Sequence, residues 1–172
     1  MTMTPVVLQR RIRLLLWVFI SGLVISGATA IPLETEVRLL VRVIGAAERG
    51  GLDQSALVRW LTIVRDGLVD TNAAYPFLGY GTDWLAFGHF VIAIAFIGPL
   101  RKPVENVWVV EFGMMACVLV VPFALGMGAV RGIPLWWRLI DCSFGVLGII
   151  PLWLCRKHIR QLAELQAAGP PE

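Results

Sequence analysis

The chain has 172 residues, 58% hydrophobic and only 16% charged, with a mean hydropathy of +0.76 and a net charge of +3. Soluble domains run nearer about 45–50% apolar and about 25% charged, so this composition lacks the polar surface a water-soluble globule needs and points to a bilayer as the solvent. The cations are spread along the chain without a basic block interleaved with aromatics, which speaks against a nucleic-acid partner.

The first uncharged run, Leu14 to Ile31, follows Arg10, Arg11 and Arg13. It reads as a first membrane span over 14–32, behind a basic segment, 1–13. A secretory signal peptide is the competing reading, because Ala28-Thr29-Ala30 has the form of a cleavage site, although the run is long for a signal core. Gly22, Ser26 and Ala30 recur every four residues, a small-residue stripe along which a neighbouring helix is expected to approach.

Residues 33–82 change character. Six acidic residues and five arginines lie between Glu34 and Asp70, yet apolar residues keep helical spacing. Val37, Leu40, Val41 and Ile44 form one face. Gly50-Gly51 breaks that helix, and Asp53 or Ser55 caps a second whose face is Leu57, Trp60, Leu61, Val64 and Leu68. Neither segment is apolar enough to span, so both are expected to lie as amphipathic helices at the membrane interface in an extracytoplasmic loop. The run Tyr75 to Gly81 is expected to turn the chain back, with its tyrosines at headgroup level.

A second span is expected over 83–100, closed by Pro99, Arg101, Lys102 and Pro103. A third follows over 107–126, with Pro122 near its far end. Gly126, Gly128 and Gly132 are expected to loosen a short loop before a fourth span over 135–154, and a polar tail, 155–172, helical to about Gln166, ends the chain. Trp17, Trp108 and Trp153 fall near one face of the bilayer and Trp84, Trp136 and Trp137 near the other, where indoles satisfy both an apolar ring and an N–H donor. The three arginines before the first span favour cytoplasmic N- and C-termini in a bacterial inner membrane. The fold class is therefore an all-α integral membrane protein, a four-transmembrane-helix bundle with two interfacial helices in its first long loop.

Ionisable groups inside spans are expensive, which singles out Asp83, His89, Glu111 and Asp141, together with Arg138. Asp83 reads most simply as an N-cap of the second span. His89 lies six residues deeper, about 9 Å along a helix, and is expected to hydrogen-bond a neighbouring helix. Asp141 falls at a depth similar to His89 and is three residues from Arg138, so those two are expected to pair. Glu111 enters from the opposite face and is expected to pair with Arg101, Lys102 or Arg156. His158, in the basic tail, is expected to face solvent or headgroups. Cys117, Cys142 and Cys155 read as small buried hydrophobes.

Three functions compete. The first is an accessory, scaffold or subunit role whose partners are the lipid bilayer and a membrane protein or a second copy of the chain. The second is proton or small-solute transport using Glu111, His89 and Asp141. The third is an intramembrane enzyme or metal protein, with Asp83, His89 and Asp141 as weak metal ligands on the outer side. No cofactor is expected. No HExxH, Walker-type loop or GxSxG is present.

Overall fold

The structure, a computed structural model, describes residues 4–48 and 55–168. Among these the chain is helical with no strand. The helices are α1 (Pro5–Ala30), α2 (Leu33–Glu48), α3 (Ala56–Ala74), α4 (Tyr80–Ala95), α5 (Ile97–Arg101), α6 (Val107–Val130) and α7 (Leu135–Ala167), with a 3-10 turn at Pro76–Gly79. Four stretches are long and apolar enough to cross a membrane: Pro5–Ala30, Pro76–Arg101, Val107–Val130 and Leu135–Ala167. The Gly50-Gly51 break, the Asp53 alternative cap and the Gly169-Pro170-Pro171 end lie outside the described residues.

The helices overrun the expected spans for identifiable reasons. The charges at Arg10, Arg11 and Arg13 end an apolar run but not a helix, because Arg is a good helix former, so α1 begins at Pro5. The α4 helix starts at Tyr80, directly after the 3-10 turn, and Tyr80-Gly81 are helical where a turn was expected. The span breaks at Phe96, because Pro99 has no N–H to return to the Ala95 carbonyl. Gly126 and Gly128 belong to α6 and do not loosen a loop. The loop begins later, at Gly132, whose φ of 68° suits glycine. There Ile133 N donates to Gly128 O and Gly132 N to Ala129 O, the paired bonds of a Schellman ending. Helix α7 runs through Pro151 and on along the basic tail.

The chain divides into two compact units, residues 1–22 with 92–172, and residues 23–91. In the first, α6 and α7 form an antiparallel hairpin. A Cβ added at Gly113 would stand 2.9 Å from Leu152 Cδ1, and one at Gly145 would run into the Cys117 carbonyl oxygen. Further along, Cys142 Sγ lies 3.8 Å from Val121 O. Glycine and cysteine thus let the two backbones meet. Leu8, Ile12, Leu16 and Ile20 form the buried stripe of α1. Phe96, fully buried, packs its ring 4.8 Å from that of Phe19 and against Gly113.

In the second unit, Gly27 is the buried close contact of α1. A Cβ there would lie 2.9 Å from His89 Cβ and 3.1 Å from Ala86 O. The expected stripe at Gly22, Ser26 and Ala30 is not the packed one. Gly22 and Ser26 are exposed, and nothing approaches Gly22. Ser55 caps α3, its hydroxyl accepting from Val58 N. On α3 the buried residues are Val58 and Leu61, with Leu57 turned outward, and on α2 Val37 is buried while Leu40 is exposed. Glu34 joins the two helices. Asn72 Nδ2 donates to its Oε2 at 2.6 Å and Arg38 Nε to its Oε1 at 2.7 Å.

Candidate functional site

Asp83 and His89 fall in the second unit, and Glu111, Arg138 and Asp141 in the first. Because α4 begins at Tyr80, Asp83 occupies the first helical turn and is not the N-cap. Its carboxylate is exposed and unpaired among the described residues, where the positive end of the helix dipole still favours it. His89 is half-buried, and its Nδ1 lies 2.8 Å from the carbonyl of Leu85, one turn back on its own helix. The expected bond to a neighbouring helix is replaced by this local one, and the β-carbon packs against Gly27 of α1.

Arg138 does not pair with Asp141. Its stem lies in the space a side chain at Gly128 would occupy, and Nη1 donates to Leu125 O at 3.3 Å. Spacing by three residues on one helix allowed the pair with Asp141, but the gap over Gly128 draws the arginine toward α6 instead. Its Nε is buried without a hydrogen-bond partner. Asp141 is half-buried and makes no hydrogen bond or ion pair among the described residues.

Glu111 is engaged by Arg156, one of the three cations expected for it, with Arg156 Nε donating to Oε1 at 2.6 Å. The pair ties the start of α6 to α7. His158 departs from expectation. It is buried, and its Nδ1 lies 3.2 Å from Gln161 Oε1. The signal that could have found it is the helical spacing of Leu152, Cys155, Ile159 and Leu162, all buried, which continues the inward stripe of α7 past the expected end of the span.

All three cysteines are free and buried. Among the described residues no three His, Cys, Asp or Glu side chains are grouped so as to hold a metal ion. His89, Arg138 and Glu111 each have a hydrogen-bond partner, Asp83 and Asp141 have none among the described residues, and no two of the five share a hydrogen bond.

Compared with known proteins, the chain matches no family model, no curated protein and no solved structure.

Proposed function

We propose that this chain is a multi-pass inner-membrane protein with an accessory, scaffold or subunit role, and that its outward surface is built for lipid and for a membrane-embedded partner. The observation that carries this reading is the apolar exterior of its long helices. Leu14, Trp17, Val18 and Ile25 on α1, Trp84, Phe87 and Ile94 on α4, Val118, Leu119 and Phe123 on α6, and Phe144, Leu147 and Ile150 on α7 are all exposed. Large apolar side chains exposed on every long helix are unlike the singly scattered ones of a soluble monomer. Trp17, Trp84, Trp108 and Trp153 are each more than half exposed, as indoles at headgroup level are.

In this reading α2 and α3 lie at the outer interface, and both termini face the cytoplasm, where Arg10, Arg11, Arg13, Arg156, Lys157 and Arg160 gather. The polar residues act in folding. His89 supports the close contact at Gly27, and Arg138 fills the gap at Gly128. Engagement of Glu111 by Arg156 and of His89 by its own helix gives a proton relay through them less support than a structural role.

The test is alkaline carbonate extraction of membranes from cells expressing the full chain, with reporter fusions at residue 172 and in the segment 49–54. Retention in the pellet, a cytoplasmic reporter signal at the C-terminus and an extracytoplasmic one in the loop are expected. His89→Ala is expected to lower the yield of folded protein. Release of the chain by carbonate would overturn the membrane reading. Proton flux in proteoliposomes, lost in Glu111→Gln with folding intact, would overturn the accessory role in favour of transport.

A further inference from the structure

Arg13 is the last charge before the first apolar run, and Arg101 the first after the second. The fold brings them to one small pocket of about 50 Å³, lined by Gln9, Ile12 and Arg13 of α1 and by Pro99, Leu100 and Arg101 of α5, with Pro103 beyond. Ile12 and Pro99 are buried beneath it. The rim is polar and cationic, since Gln9, Arg13 and Arg101 are exposed. Neither Arg13 nor Arg101 makes an ion pair or hydrogen bond among the described residues. Nearby carboxylates are taken, Glu105 by Lys102 at 2.9 Å and Glu111 by Arg156 at 2.6 Å.

Two free guanidiniums at one pocket, at the edge of two apolar runs, are the chemistry that meets a phosphate-bearing amphiphile. Arginine presents a planar fork of donors that matches phosphate oxygens. Basic pockets between membrane helices on the cytoplasmic side take anionic headgroups. The exposed apolar side chains of Leu14, next to Arg13, and Ile97, one turn before Arg101, offer a free inorganic phosphate nothing but suit the acyl chains of a phospholipid.

We propose that Gln9, Arg13 and Arg101 form a binding site for the phosphate of an anionic phospholipid, held at the cytoplasmic edge of α1 and α5. The site rests on the membrane reading above and adds a lipid selectivity to it. Zwitterionic lipids are disfavoured there, because their own ammonium group competes for the phosphate and meets two arginines.

The test is native mass spectrometry of the detergent-purified full chain with phosphatidylglycerol or with phosphatidylcholine, for the wild type, Arg13→Gln, Arg101→Gln and the control Arg131→Gln. Arg131 is likewise an exposed arginine, at the turn between α6 and α7. The expected result is retention of phosphatidylglycerol over phosphatidylcholine and a drop of roughly fivefold in that retention for each rim variant, with the control unchanged. Millimolar inorganic phosphate is expected to leave the retained lipid in place. Equal retention of the two lipids, an equal drop in the Arg131→Gln control, or displacement by inorganic phosphate would each overturn the site. If the chain were released by carbonate and stayed soluble without detergent, the membrane reading would fall. If it stayed membrane-bound and lacked the preference, the lipid site alone would fall.

Discussion

Arg156 and Glu111, 45 positions apart in sequence, meet at 2.6 Å between α7 and α6. Both side chains keep some exposure, 29% and 41%, and the pair lies one turn into the apolar run of α6, where breaking it leaves a lone charge. Arg156→Ala and Glu111→Gln are each expected to lower the unfolding midpoint in detergent by a few degrees, and the double variant by less than the two together. Strict additivity in the double-mutant cycle would show that the two groups act separately.

Helices α6 and α7 approach closely at Gly145. A methyl there would run into the Cys117 carbonyl, and a backbone oxygen cannot swing aside as a side-chain tip can. Gly145→Ala is expected to cost about 1–3 kcal/mol. Gly22→Ala, at a position with open space around it, is expected to stay within about 0.5 kcal/mol of the wild type. Thermal unfolding of the two variants side by side measures this, and equal costs would contradict the packing described.

Glu34 links α2 to α3 through its contact with Asn72. The Asn72 amide, and after it Arg38, hold its carboxyl below the ordinary carboxylate range. A carboxylate whose pKa is depressed on folding adds stability above its unfolded value, near 4.3, and loses it as pH falls through the lower folded value. Glu34→Gln is therefore expected to be less stable than the wild type at neutral pH, with the gap closing at acid pH. Unfolding midpoints of both proteins from neutral pH down into that range supply the measurement. A gap independent of pH would mean that the carboxylate charge is not what links the helices.

Arg138 separates packing from charge. Its stem fills the space over Gly128, while its Nε lacks a partner. Arg138→Met keeps most of the stem and removes the buried unpaired donor, so it is expected to stay within about 1 kcal/mol of the wild type. Arg138→Ala leaves a void and is expected to cost about 2 kcal/mol. Equal losses in chemical unfolding of the two variants would show that the bond to Leu125, not the filling, is what matters.

The candidate residues illustrate what a linear reading can and cannot reach. Glu111 was legible as a group needing a cation, because a carboxylate inside an apolar run has few affordable environments, but three cations were in range. Ser55 was legible as a cap because capping is local. The pairing of Arg138 with Asp141 was drawn from helix spacing and fails because a gap on another helix offers the arginine a better place. The packed glycine of α1 proves to be Gly27 and not the four-residue stripe at Gly22, Ser26 and Ala30, since every fourth small residue satisfies the same pattern on whichever face it lies.

By itself the sequence determined the helical class, the four apolar runs and the polar stretch between the first two. Hydropathy and charge act residue by residue and need no partner to be read. Only the tertiary structure decided which faces meet, that α4 breaks from α5 at a buried Phe96, that Arg156 takes Glu111, and that Arg13 and Arg101 line one pocket. The physical reason is that a helix suited to lipid is apolar on every side. The hydrophobic periodicity that marks the inner face of a helix in water is then erased, and the inner face is chosen by shape, by where a glycine lets a neighbour come close.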